Sequence, residues 1–162
     1  MRGLPLLDIG RAANLLWIHF GHPRLAPTAG DPEREVGEYA LHVQCPWRVS
    51  GVTGVLAGSS DVYVPADPDA GEESFRWDKP GDSIVDLHLE RWIETHSESP
   101  LIVDLISVDR CGGFVLALSN EFAIEVFPDA SSEPHDVREQ WRLFRPGVED
   151  EEHFVVLNQG IE

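Results

Sequence analysis

Lysine, cysteine and long apolar runs are scarce in this sequence. Lys79 is its single lysine, Cys45 and Cys111 are its two cysteines, and no apolar stretch approaches the roughly 20 residues that span a bilayer. Neither cysteine belongs to a Cys-x-x-Cys pair, so we expect each to be a small buried apolar side chain and not part of a disulfide framework. A single disulfide between the two is the alternative. The N-terminal residues, with one arginine and an early Asp8, make a poor signal peptide. We therefore expect a cytoplasmic protein with no membrane association.

The composition is typical of a folded globular chain. Of the 162 residues, 42% are hydrophobic and 25% are charged, which excludes wholesale disorder. A chain of this length buries enough surface for its own core. We therefore predict a single domain over residues 1–162.

Basic charge is also in short supply. The formal net charge is −17, and residues 1–60 are balanced, so the whole excess lies beyond residue 60. A surface this acidic repels phosphate backbones, which disfavours nucleic acid as a partner. The same field would attract a basic protein, although high solubility is the simpler explanation of the charge.

The clearest β pattern covers residues 38–49, where apolar and polar residues alternate in six consecutive pairs. This period of two predicts a half-buried strand with one apolar and one polar face. Pro46 has no N–H to donate, so we expect this strand to lie at a sheet edge or to carry a bulge there.

The clearest helical pattern covers residues 82–96. Asp82 or Ser83 can cap the first turn, and Asp86 stands three residues after Ser83, in the position of a capping box. An apolar stripe at helical spacing follows, formed by Val85, Leu89, Trp92 and Ile93.

The remaining pattern predicts one short helix and several short strands. We expect a helix over residues 4–13, loops over 21–35 and 65–81, and strands near 14–20, 55–64, 101–108, 114–118, 122–127, 140–145 and 153–157. Short strands joined by tight turns indicate antiparallel pairing. The predicted fold class is α+β, mainly an antiparallel sheet of about eight short strands with one long helix.

No catalytic or metal-binding motif is recognisable. The seven histidines show no His-Glu-x-x-His arrangement, and no Gly-x-Ser-x-Gly elbow is present. Cys111 lies in a glycine-rich turn, but nothing in the sequence places a histidine beside it. We therefore assign no catalytic residue, no metal ligand and no cofactor from the sequence.

Two sets of residues remain as candidates for binding. The polar face of the predicted edge strand carries His42, Gln44 and Arg48, which could line a groove, although the outer face of any such strand is polar. Trp77 stands among charged residues in the second loop, as an interface anchor would. The acidic run Glu149, Asp150, Glu151 and Glu152 is a candidate contact for a basic partner.

A pattern in residues 113–144 resembles a known group of sequences. It consists of Gly113-Phe114 with Leu116, Leu118 and Ser119, then residues 124–131 (IEVFPDAS), then residues 139–144 (EQWRLF). It is similar to the C-terminal region of small uncharacterised bacterial proteins, some of which resemble immunity proteins for secreted toxins. The resemblance implies strands and turns and brings no catalytic residues with it.

Three hypotheses follow. The first is a non-enzymatic acidic domain that binds and neutralises a basic protein, in the manner of an immunity protein. The second is a small-molecule binder or enzyme that uses His42, Gln44 and Arg48. The third is a structural subunit of a homodimer, paired through a free sheet edge.

Overall fold

The structure is a computed structural model that describes residues 1–28, 31–71, 74–131, 135–148 and 153–161. Within these ranges the chain forms one α-helix, α1, and two short 3-10 helices at Ser59–Tyr63 and Ser119–Glu121. The elements in chain order are β1 (Leu6–Ala12), β2 (Leu15–Phe20), β3 (Arg24–Thr28), β4 (Asp31–Val36), β5 (Tyr39–Val43), β6 (Trp47–Gly51), β7 (Gly54–Gly58), α1 (Ile84–Thr95), β8 (Val103–Val108), β9 (Phe114–Leu118), β10 (Ala123–Val126), β11 (Glu139–Phe144), β12 (Phe154–Leu157) and β13 (Gly160–Ile161).

The described strands form three antiparallel sheets. The first sheet has the order β1-β2-β5-β11-β12-β13, and the second has the order β7-β6-β10-β9-β8. Strands β3 and β4 form a separate two-stranded hairpin. The predicted class, antiparallel sheet with one long helix, is therefore confirmed, but the described strands outnumber the eight that the sequence predicts.

The long alternating segment is two strands rather than one. Strand β5 belongs to the first sheet and β6 to the second, and the chain crosses between them at Gln44–Pro46. The N–H groups of Gln44 and Cys45 both donate to the Gln140 carbonyl, at 2.8 and 3.2 Å. Both strands lie inside their sheets and neither includes Pro46, so the predicted edge position is wrong and no bulge forms at Pro46. Pro46 lies at the crossing, where its missing N–H costs no ladder hydrogen bond.

The two sheets also meet along their other side. The Leu6 N–H donates to the Leu101 carbonyl at 2.7 Å, and the Val103 N–H donates to the Leu4 carbonyl at 3.0 Å. The start of β1 is thereby joined to the start of β8. Buried side chains from both sheets and from α1 form one apolar cluster that includes Ile18, Leu41, Val49, Leu89 and Leu116.

Helix α1 agrees with its sequence pattern. Val85, Leu89 and Trp92 are buried, as the apolar stripe predicts, and α1 packs against β1 and β7. The Ser83 N–H donates to the Asp86 carboxylate at 3.2 Å, which satisfies one of the free donors of the first turn.

The predicted N-terminal helix is wrong, because residues 6–12 form β1. Ile9 and Arg11 point inward, while Gly10 lies opposite Trp17 on the outer face. A Cβ atom at position 10 would lie 2.4 Å from Trp17 Cζ2, so only glycine leaves room for that ring. Pairing with β2 overrides the weak helical pattern of this segment.

The predicted loop at residues 21–35 is also wrong. Most of it belongs to the β3–β4 hairpin, with Ala26 and Val36 buried. Prolines and charges led to the loop prediction, yet a two-stranded hairpin has two outer edges that tolerate proline.

Candidate functional site

The three polar residues predicted to share one strand face are separated in the fold. His42 lies in the first sheet and Arg48 in the second, with Gln44 at the crossing between them. The Arg48 guanidinium pairs with the Glu125 carboxylate of β10 at 2.8 and 2.7 Å. This hydrogen-bonded pairing lowers the pKa of Glu125. The predicted common polar face therefore does not exist.

Trp77 is placed on the surface, in contact with a second aromatic ring. Its side chain is 41% exposed and lies 5.5 Å, between ring centroids, from the ring of Tyr63, which is 56% exposed. Val64, next to Tyr63, is also exposed. Together with Asp78 these residues make the aromatic-acidic surface (Tyr63, Val64, Trp77 and Asp78).

Arg11 holds this surface in place from beneath. Its guanidinium donates to the carbonyls of Trp77 at 2.6 Å and Lys79 at 2.9 Å. It also forms a bidentate pair with Asp86 at 2.6 Å. The Arg11 side chain is 1% exposed, so the loop is bonded to a buried group of β1.

Backbone hydrogen bonds close the loop at its base. The Ile84 N–H donates to the Val64 carbonyl and the Ala66 N–H donates to the Asp82 carbonyl, both at 2.8 Å. The Ser83 hydroxyl donates to the Val62 carbonyl at 2.6 Å. The entry and exit of the loop are therefore fixed against each other.

The surroundings of the aromatic pair are acidic. Residues 65–82 carry six acidic and two basic side chains, of which Glu72 and Glu73 lie outside the described residues. Asp78 forms an exposed ion pair with Arg76 at 3.3 Å, and the hydrogen bond from Arg76 lowers the pKa of Asp78. Lys79 is paired with Asp82 at 2.9 Å. The local field is thus negative, with both basic side chains engaged by aspartates.

The acidic run Glu149–Glu152 lies outside the described residues, so its proposed role stays a prediction. No group of three or more His, Cys, Asp or Glu side chains that could hold a metal ion is found among the described residues. The described chain likewise has no helix with the length and apolar content that a bilayer crossing requires.

The two cysteines are free thiols in different environments. Cys45 is buried, and burial raises the pKa of its thiol to about 12. Cys111 is exposed, so the expectation that both are buried is wrong for this residue. It lies in a turn where the Asp109 carboxylate accepts the Cys111 N–H at 2.7 Å, which explains the exposed position.

Sequence reasoning missed Tyr63, Val64 and Arg11. Tyr63 and Val64 were assigned to the strand predicted over 55–64, which is wrong beyond Gly58 because residues 59–63 form a 3-10 helix. Arg11 was assigned to the short N-terminal helix. A charged residue inside an apolar segment was the available signal for Arg11, since buried arginines need a partner. Nothing in the sequence indicated that Tyr63 would meet Trp77.

We find no match for this chain among protein-family models, curated protein sequences or solved protein structures. Its function is therefore inferred from the geometry and charge of its own residues.

Proposed function

We propose that this chain is a non-enzymatic protein-binding domain that recognises a basic protein through its aromatic-acidic surface. The observation that carries the proposal is the exposed Tyr63–Trp77 pair on a loop that Arg11 fixes to the fold. Tryptophan, tyrosine and arginine dominate the binding energy of protein interfaces. An exposed pair of such rings is an anchor that one partner can cover.

The fixed loop favours binding for an entropic reason. When binding has to order a mobile loop, the lost conformational entropy weakens the affinity. This loop is already ordered by Arg11 and by the hydrogen bonds at its base. The aromatic side chains have few rotatable bonds and lose little freedom on contact.

Charge selects the kind of partner. The net charge of −17 lies entirely beyond residue 60, and the aromatic pair is inside that acidic region. Opposite charge accelerates association, and like charge excludes acidic competitors. A partner arginine or lysine would also interact favourably with the face of Trp77 or Tyr63.

The resemblance of residues 113–144 to small bacterial proteins, some of which resemble immunity proteins, suggests a specific form of the proposal. In this form the chain neutralises a basic toxin by covering its surface. The partner to test is the product of the neighbouring gene in the source genome. We expect that protein to be basic and to bind this chain directly.

Biolayer interferometry with that gene product tests the surface. We expect Trp77→Ala to weaken binding by about 30-fold, which corresponds to a hot-spot loss of about 2 kcal/mol. Val52→Ala is the matched control, since Val52 is exposed in the β6–β7 turn. Equal binding by wild type and both variants would contradict a role for the aromatic pair, and absence of binding would reject this partner.

The acidic run is tested separately. Replacing Glu149, Asp150, Glu151 and Glu152 with lysine should slow association, with little change in the dissociation rate, because surface charge acts mainly on encounter. An unchanged association rate would show that this run has no part in recognition.

A homodimer remains the second candidate, and one observation favours it. Strand β8 ends the five-stranded sheet, and beyond its junction with β1 the residues Leu105, Ile106 and Val108 are exposed. Natural sheet edges usually carry charges or proline against pairing with another chain. Light scattering should then give a dimer mass that Leu105→Lys reduces and Val52→Lys does not. A monomer mass for the wild-type chain would reject this candidate.

A further inference from the structure

A cavity of about 370 Å³ lies between the β3–β4 hairpin and the outer face of the first sheet. Its walls include Trp17 and His19 of β2, His42 of β5, and Arg34 and Val36 of β4. Arg24 fixes the hairpin above it by donating to the Pro146 carbonyl. The cavity is separate from the aromatic-acidic surface and shares no residue with it.

The sheet register places two histidines on the same side of this cavity. Trp17 lies directly opposite His42 in the β2–β5 pairing, and His19 follows two residues after Trp17. Side chains two apart along a strand share a face, so His19 and His42 are diagonal neighbours. The Trp17 and His19 rings also contact each other, with centroids 5.3 Å apart.

His19 is 9% exposed and lines the cavity. His42 also lines the cavity, and its ring makes an edge contact with the Phe144 ring, with the two centroids 4.8 Å apart. A neutral imidazole has one N–H to donate and one nitrogen to accept. Both rings therefore bring a donor and an acceptor to the lining of the cavity.

The charges around the two rings are mostly positive. Burial lowers the pKa of both histidines, and the positive charge of Arg34 near His19 and of Arg142 near His42 lowers it further. Arg34 lies over the Trp17 ring, 5.9 Å from its centroid.

Three more titratable groups face this region. Asp8 is paired opposite His19 across β1 and β2, and burial raises the pKa of its carboxyl. Glu139 is paired with Arg142, so its charge is largely compensated. His153 stacks on Phe144 beyond His42. At neutral pH both His19 and His42 are neutral, and Arg34 at the rim lies within electrostatic range of the Asp8 carboxyl.

We infer that this cavity binds a small carboxylate with a planar apolar body. The carboxylate would meet the Arg34 guanidinium and an imidazole N–H, and the apolar body would lie against Trp17 and Val36. Arginine and neutral imidazole are both hydrogen-bond donors suited to a carboxylate. The volume accommodates a single-ring ligand.

Titration with benzoate, followed by NMR of the imidazole C2–H signals, tests the inference. We expect saturable shifts of the His19 and His42 signals, a dissociation constant in the millimolar range, and a rise in both pKa values on binding. Benzamide, a neutral analogue of the same shape, should bind several-fold more weakly. Equal binding of benzamide, or benzoate shifts spread over all seven histidines, would overturn the inference.

Two further experiments separate the contribution of the Arg34 charge from that of the apolar wall. Arg34→Gln should weaken benzoate binding by roughly threefold to tenfold, whereas Arg91→Gln on the exposed side of α1 should leave it unchanged. Equal losses in both variants would show a general charge effect and overturn the assignment. Inorganic phosphate supplies an anion without an apolar body, and binding as tight as that of benzoate would contradict the proposed ligand class.

Discussion

Arg11 is the residue on which the position of the candidate surface depends. Its guanidinium joins β1 to the N-terminus of α1 through Asp86 and to the loop through the carbonyls of Trp77 and Lys79. A buried arginine is tolerated only when its N–H groups are bonded. Here one side chain satisfies that requirement and also fixes the loop.

Replacing Arg11 with alanine should lower the free energy of unfolding by about 3–5 kcal/mol, because Asp86 would lose its buried partner. Urea unfolding at neutral pH measures the change. The control is Arg91→Ala, an exposed residue for which a change within about 0.5 kcal/mol is expected. A similarly small effect at both positions would show that the network is not structural.

The two cysteines should differ sharply in reactivity. Only the thiolate reacts with a disulfide reagent, and burial raises the pKa of Cys45 to about 12. We expect the native protein to titrate one thiol, which is lost in Cys111→Ser, and the protein in denaturant to titrate both. Rapid labelling of two thiols in the native state would contradict the buried environment of Cys45.

At the scale of single elements, α1 is held by its buried face rather than by its length. Leu89 is buried, whereas Leu87 on the same helix is 38% exposed. Leu89→Ala should cost about 2–5 kcal/mol of unfolding free energy, since it leaves a cavity in the core. Leu87→Ala should cost less than about 1 kcal/mol, and thermal or urea unfolding of the pair measures the difference. Equal losses would mean that the helix is not packed as described.

Element prediction succeeded for α1 and failed for the segment 38–49, for one physical reason. The α1 stripe and its Asp86 cap are local patterns that the helix itself satisfies. The alternation of apolar and polar residues in 38–49 indicates only that successive side chains face opposite sides of a strand. That remains true when the chain passes from one sheet to another. Pro46 indicated a sheet edge or a bulge, whereas the crossing that forms there depends on strands far away in the sequence.

The candidate sites also combine features that the local sequence predicts with contacts that depend on distant residues. Composition alone singled out Trp77 as an aromatic residue among charges, and the structure places it on the surface. Its contact with Tyr63 and its support by Arg11 join residues far apart in the sequence. The His19–His42 pair likewise requires the β2–β5 register, which turns alone do not determine.

At the scale of the whole molecule, charge and buried histidines govern the response to acid. The folded state lowers the pKa of His19 and His42 from 6.5, so the unfolded chain takes up protons that the folded chain resists. Stability should therefore fall as the pH drops below about 6.5. The lowered pKa values of Glu125 and Glu139 give a second loss, below about pH 4.5, when these paired carboxylates protonate.

Urea unfolding between about pH 7.5 and pH 5.5 isolates the first of these losses. In His42→Gln the decrease in stability across this range should be smaller than in the wild type, because one of the two histidines is gone. His22→Gln, at an exposed position, is the control and should follow the wild-type curve. An identical slope in His42→Gln and wild type would show that His42 does not couple folding to pH.

Local sequence patterns and composition were sufficient to predict the α+β class, the capped amphipathic helix and the acidic charge beyond residue 60. Each of these depends on neighbours in the chain or on composition. Only the tertiary structure decided that residues 38–49 divide between two sheets, that β1 is a strand and that Arg11 lies beneath Trp77. Those outcomes depend on which distant segments pair, and backbone hydrogen bonding by itself does not distinguish one partner strand from another.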